Sequence, residues 1–136
     1  MAVKYLLDTT VCIHILRSKG ASILQEMRNH QIEDFGISIL TKFELLVGIK
    51  KHASAQQAKR WKGFLDLKIP VIEFGEADAE EAASIQAELE AQGRGIGEID
   101  TCLAGTARAQ KLTLVTSNLR EFSRVKNLRV EDWYQP

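Results

Sequence analysis

Asp8 and Glu44 are acids in strongly apolar company: Leu6-Leu7 precede the first and Leu45 follows the second, a setting in which a lone ionised carboxylate is costly. Asp100, and the group Ser117, Asn118 and Glu121, add carboxylates and an amide from two further segments of the chain. Carboxylates gathered in one place repel one another and raise their own pKa values unless a cation neutralises them. Hard oxygen donors suit Mg²⁺ or Mn²⁺, ions that keep several waters and leave room for a substrate phosphate. The chemistry implied is metal-assisted phosphoryl chemistry. Each acid also has an ordinary structural role open to it. Asp8 suits a helix N-cap, Thr41-Lys42-Phe43-Glu44 matches the S/T-x-x-E capping box, and Glu98 and Asp100 suit the positive end of a helix dipole.

The elements around these residues decide whether they meet. Residues 3–7 read as a short buried strand stopped by Asp8, and residues 35–39 and 71–74 read as a second and a third. Residues 113–116 make a fourth, and 128–130 a short fifth. Helical spacing is expected from Val11 towards Lys19-Gly20, and over 22–29, 41–51, 53–67, 77–92 and 99–111. Gly93-Arg94-Gly95 stops the long alanine- and glutamate-rich helix, and Ala104, Gly105 and Ala107 let the next one pack closely on a neighbour. Strands alternating with helices predict a mostly parallel sheet between helical layers. In such a sheet ligands gather beyond the carboxyl ends of the strands, where Asp8, Glu44 and Ser117-Asn118 all fall.

The chain has 136 residues, 45% of them hydrophobic and 26% charged, which suits one ordinary core and excludes disorder and low-complexity structure. With 18 basic and 18 acidic residues it is no polybasic binder. The charges are nevertheless segregated. Between Lys42 and Lys68 there are seven Lys/Arg against Glu44 and Asp66, and between Glu73 and Asp100 only Arg94 against nine acids. The basic stretch also carries His52 and Trp61, suited to contacting phosphate and to stacking on a base, although helical spacing puts Trp61 beside Phe64 and Leu65 as a core residue. Arg17 and Arg120 are further candidates for phosphate, the acidic stretch reads as a solvated face, and His14 and His30 receive no catalytic role. Cys12 and Cys102 are too few for a disulfide framework, have no metal spacing, and read as buried reduced thiols. No apolar run is long enough for a signal-peptide core or a membrane span, so a soluble cytoplasmic protein is expected.

Two other phosphate chemistries fit poorly. No G-x-x-x-x-G-K-[ST] occurs, which excludes a P-loop nucleotidase. A phosphoacceptor receiver domain needs paired acids after its first strand and an acceptor Asp after a central one, whereas Asp8 stands alone.

Four segments in order, Leu6-Leu7-Asp8-Thr9, Ser38-Ile39-Leu40-Thr41-Lys42-Phe43-Glu44-Leu45-Leu46-Val47-Gly48, Ile96-Gly97-Glu98-Ile99-Asp100 with Leu103-Ala104-Gly105, and Leu114-Val115-Thr116-Ser117-Asn118 with Glu121-Phe122, resemble a PIN domain. More narrowly the chain is similar to the VapC ribonuclease toxins of bacterial type II toxin–antitoxin pairs. The resemblance runs over nearly the whole chain, residues 3–133. It implies an α/β protein, a three-layer α/β/α sandwich with a mostly parallel central sheet of four to five short strands, and one domain over residues 1–136.

The resemblance further implies a Mg²⁺- or Mn²⁺-dependent endoribonuclease that hydrolyses phosphodiester bonds of structured RNA such as tRNA with metal-activated water. Its implied partners are a second copy of the chain and a VapB-like antitoxin, the heterocomplex binding operator DNA. By position, Asp8, Glu44 and Asp100 match the three most characteristic acids: Asp8 and Asp100 as direct metal ligands, Glu44 as a ligand through water or an orienter of the attacking hydroxide. Asn118 falls where many relatives have a fourth Asp, with Glu121 nearby as a compensating acid, and Thr10 replaces an Asn often found two residues after the first Asp. The two departures, Thr10 and Asn118, leave an alternative: a catalytically weak PIN-fold partner that sequesters antitoxin or RNA without cleavage.

Overall fold

Tyr5-Leu6-Leu7 is too short to bury much by itself, yet Leu6 and Leu7 are fully enclosed, because the strand lies at the centre of the sheet with a parallel neighbour on either side. The computed structural model describes residues 2–52 and 54–136. Its strands β1 (Tyr5–Leu7), β2 (Phe35–Ser38), β3 (Val71–Ile72), β4 (Thr113–Val115) and β5 (Val130–Glu131) form one all-parallel sheet in the order β3-β2-β1-β4-β5. Tyr5 is in register with Phe35 on one side and Thr113 on the other. The sheet meets the expectation of four to five short, mostly parallel strands.

Successive residues of a strand point to opposite faces, and β1 shows the consequence. Leu7 joins a core with Val11, Leu16, Ile23, Leu45, Phe64 and Trp133, contributed by α1 (Thr9–Leu16), α2 (Ala21–Met27), α3 (Ile39–His52), α4 (Ala55–Leu65) and the C-terminal segment. Leu6 joins a second core on the other face with Ile85, Leu89, Leu103, Ala104 and Phe122, from α5 (Glu76–Ala91), α6 (Glu98–Gln110) and α7 (Leu119–Phe122). The result is a helix–sheet–helix sandwich with β1 in the middle layer. His14 and His30 belong to the packing: His14 stacks on Tyr134 at 3.9 Å between ring centroids and His30 on Trp133 at 5.5 Å.

Two boundaries differ from expectation in ways that bear on the site. The third helix starts at Ile39, so Thr41 lies inside its first turn and is no N-cap; the Oγ of Ser38, the last residue of β2, accepts the Leu40 N–H instead. The capping-box reading of Glu44 is therefore wrong, and its carboxylate is free for other partners. The short helix α7 was not expected at all; it follows Asn118 and carries Glu121 back over the strand ends. Elsewhere the differences are of one or two residues for most ends, the strands being shorter than expected because only their paired residues count as ladder. Cys12 is buried as expected, whereas Cys102 is only half-buried.

Helices α5 and α6 touch nearly backbone to backbone. A Cβ at Gly105 would lie 2.7 Å from both the amide nitrogen and the Cβ of Ala82. Gly63 in α4 meets nothing within 4 Å and is exposed. Alanine has the higher helix propensity by about 1 kcal/mol, so surroundings decide the sign of each glycine-to-alanine change. Thermal unfolding is expected to show Gly63→Ala stabilising by about 0.5–1 kcal/mol and Gly105→Ala destabilising by about 1–3 kcal/mol.

Candidate active site

Parallel strands end on the same side, so the residues after β1, β2 and β4 share one rim. Asp8 stands at its centre. Its N–H donates to the carbonyl of Val115 at the end of β4, and its carboxylate caps α1 by accepting the Val11 N–H at 2.9 Å. The cap was foreseen; the rest of its surroundings was not. Oδ1 also accepts the hydroxyl of Thr10 at 2.7 Å, Oδ2 accepts the hydroxyl of Thr116 at 2.5 Å, and Ser117 donates to Thr10 at 3.1 Å. Asp8 is 1% exposed, and burial pushes its pKa up while the hydroxyl and backbone donors hold it down.

Glu44 reaches the rim from the second turn of α3. Its Oε1 accepts the hydroxyl of Thr9 at 2.6 Å, and Thr9 in turn lies 3.1 Å from the hydroxyl of the fully buried Thr41. Asp100 arrives from the opposite layer, in the first turn of α6. That helix runs back against β4, which brings its N-terminus to the strands' carboxyl ends. Burial first, and then the fields of Asp8, Glu121 and Glu44, raise the Asp100 carboxyl to about 6. Those fields are the sign that four acids from four segments share one neighbourhood. Asn118 donates its amide to Glu121 at 3.1 Å, so it orients an acid where an Asp would have added one.

Among the described residues no basic side chain pairs with a rim acid; the ion pairs there are Lys4–Asp34, His30–Glu26, Arg108–Glu81 and Lys126–Glu88. Oxygen-only donors with unbalanced negative charge fit a hard divalent cation. Yet among the described residues no three His, Cys, Asp or Glu side chains stand close enough together to hold a metal ion between them. Asp8 is tied to its hydroxyl donors and Glu44 to Thr9. The arrangement is an open acidic rim, which suits an ion held by one or two carboxylates, by waters and by a substrate phosphate.

Beside Glu44 and Thr9 opens a groove of about 580 Å³, walled by Ile13, Leu16 and Trp61 and edged by Arg17 and Arg60. Trp61 packs half-buried against the core, as its helical spacing implies, and also lines the groove, and Gly48 makes room for its ring. Arg17 lies near the rim as expected; the side chain of His52 lies outside the described residues. The acids of residues 77–90, expected as a solvated face, lie mostly on the exposed side of α5, tied to neighbouring elements through Arg108–Glu81 and Lys126–Glu88; Asp78 departs from this, being buried and accepting the Gly75 N–H and the Gln110 amide. The functional side chains not anticipated are the hydroxyls of Thr9, Thr41 and Thr116. Their only sequence signal is a threonine at or just beyond a strand's carboxyl end, a position that threonine fills for many reasons.

The PIN-domain family model matches residues 5–128. The tRNA(fMet)-specific endonuclease VapC of Shigella flexneri is 38% identical over 131 residues, covering 96% of this chain and 98% of that protein. Among solved structures, DNA-bound VapBC from Salmonella typhimurium superposes with a TM-score of 0.88 at 30% identity, over 97% of this chain and 99% of the other. VapBC2 from Rickettsia felis, bound to a DNA fragment from its promoter, gives a TM-score of 0.86 at 27% identity over 96% and 99%. The matched span runs from β1 to beyond Glu121, and the chain belongs to the PIN-domain family, within its VapC branch.

Proposed function

We propose that the protein is a divalent-metal-dependent endoribonuclease, the toxin of a type II toxin–antitoxin pair, and that it hydrolyses RNA phosphodiester bonds at the acidic rim. The observation that carries the reading is Asp100: a half-buried carboxyl raised to about 6 by burial and by three neighbouring acids, and among the described residues no cationic side chain forms an ion pair with it. In this reading Asp8 and Asp100 hold a Mg²⁺ or Mn²⁺ ion directly, and Glu44 holds it through water or orients the attacking hydroxide. Bound there, the ion supplies charge neutralisation for the phosphodiester and acidifies water at neutral pH. The chain's own groups do the positioning. Thr10, Thr116 and the Val11 N–H hold Asp8 by hydrogen bonds and aim it, and Asn118 holds Glu121 at the edge of the rim.

Structured RNA such as tRNA is the substrate class that fits the name of the Shigella flexneri relative. The basic segment from Lys42 to Lys68 forms most of α3 and α4 beside the groove and supplies a phosphate-attracting face next to the acids. A VapB-like antitoxin is the partner that the VapBC neighbours support, with operator DNA bound by the joint complex. Phe43, Leu46 and Val47 on α3 are 59%, 37% and 37% exposed, an apolar patch suited to a second copy of the chain. Residues 1–136 are read as a single PIN domain. Among the described residues no helix is long and apolar enough to cross a membrane; a place of action in the cytoplasm is part of the toxin–antitoxin reading. The non-cleaving alternative rested on Thr10 and Asn118; both hold a rim acid by a hydrogen bond, and four carboxylates remain around the site.

Asp100→Asn and Asp8→Asn proteins are each expected to cleave RNA at least about 100-fold more slowly than the wild type with Mg²⁺ present, and EDTA to abolish wild-type cleavage reversibly. Wild-type rates in Asp100→Asn would reject the site. Stability gives a second check. Because the Asp100 pKa is higher in the folded chain than in the unfolded one, the folded state binds the proton more tightly. Its contribution is therefore most favourable at low pH, declines as pH rises from about 4 to about 6, and stays unfavourable above that. In EDTA, Asp100→Asn is expected to melt several degrees above wild type at pH 7 and to lose most of that advantage towards pH 4, as followed by thermal unfolding.

A further inference from the structure

We infer that Thr9 is a positioning residue for Glu44, acting as the middle of a hydroxyl relay that begins at Thr41; the inference rests on the nuclease reading above. Thr9 has one hydroxyl proton, and the 2.6 Å contact to Glu44 Oε1 uses it, since an ionised carboxylate only accepts. At the 3.1 Å contact between Thr9 and Thr41, Thr41 must then be the donor. The order is Thr41 O–H to Thr9 O–H to Glu44. Thr41 is fully buried in the first turn of α3, and Thr9 is the first residue of α1, directly after Asp8. The relay therefore joins the segment that carries Asp8 to the one that carries Glu44.

A comparison within the rim shows why Thr9 matters more than its neighbour. Consecutive threonines send their hydroxyls to different acids, Thr9 to Glu44 and Thr10 to Asp8, and each is backed by a second hydroxyl, Thr41 or Ser117. Asp8 retains the Val11 N–H and Thr116 if Thr10 is lost. Glu44 has Thr9 alone among the described residues. A glutamate on a helix surface samples many rotamers, and a bound cation would have to select one of them on every binding event. With Oε1 held, that selection is made in advance, and Oε2 is left to face a hydrated ion or the water that attacks. Partners of this kind behind a metal-binding carboxylate typically alter metal affinity by about 10–100-fold.

The test uses the full chain without antitoxin, Mn²⁺ as the probe, and electron paramagnetic resonance to count free Mn²⁺. Thr9→Val is expected to weaken Mn²⁺ binding about tenfold, Thr9→Ser to restore it, and the Mn²⁺ concentration for half-maximal cleavage to rise in parallel. In a Glu44→Gln background, Thr9→Val is expected to add no further loss. Thr9→Ala carries the same expectation if valine is not accommodated, and melting in EDTA identifies folded variants. A simple staple between α1 and α3 would lower the melting temperature and leave Mn²⁺ affinity untouched. If Glu44→Gln weakens Mn²⁺ binding and a folded Thr9→Val does not, the inference falls while the nuclease reading stands. If Glu44→Gln binds Mn²⁺ as tightly as wild type, or the wild type takes up none, the role given to Glu44 falls and the inference with it.

Discussion

A buried carboxylate at the centre of a parallel sheet is the constraint on which the rest depends. Asp8 is 1% exposed, at the point where β1 stops between its two neighbours. A charge in that place has to be met by donors, and the structure meets it with a helix N-terminus and two threonine hydroxyls. Those donors do not cancel the charge; they orient it. Asp100 and Glu44 then approach a group that is still negative, and Asp100 answers by holding its proton up to about pH 6. The acids are close enough to disturb one another, although among the described residues no three of them stand close enough to hold an ion between them. An open negative rim of this sort is completed by what it binds.

Holding such a rim together needs a scaffold that does not yield to the repulsion. The two cores provide it from opposite faces of one three-residue strand, Leu7 to one side and Leu6 to the other, both at 0% exposure. The layer carrying Asp100 is fixed by the close passage of α6 on α5 at Gly105 and Ala82. The layer carrying Glu44 is fixed by Leu45, its sequence neighbour, which is 1% exposed in the core. Apolar residues adjacent to acids are therefore no accident of composition. They anchor the chain beside the acid, so Asp8 and Glu44 are each placed by packing that starts one residue away.

Strand order of appearance and the acids themselves were legible in the sequence because each depends on local pattern. An apolar run that stops at Asp8, and helical spacing around Phe43 and Leu46, carry that information within a few residues. What was not legible depends on tertiary partners. Thr41-x-x-Glu44 satisfies the local rule for a capping box, but the helix begins at Ile39 and the carboxylate goes to Thr9, 35 residues away. Helix α7 is four residues long, too short for any periodic signal, and its place is set by Phe122 entering the core. Thr116 meets Asp8 across 108 residues, a contact that only the pairing of β1 with β4 creates. The segregated charges have a similar outcome: the basic segment comes to lie beside the groove, and the acidic one is tied up with Arg108 and Lys126 on the far layer.

We propose that these acids act as one group that takes up a divalent cation. The most direct measurement is the titration of the Asp100 side-chain carboxyl by ¹³C NMR, in EDTA and again with Mg²⁺. The account predicts a pKa of about 6 without the ion and a clear fall when Mg²⁺ is added. An ordinary aspartate value in EDTA that Mg²⁺ leaves unchanged would contradict it.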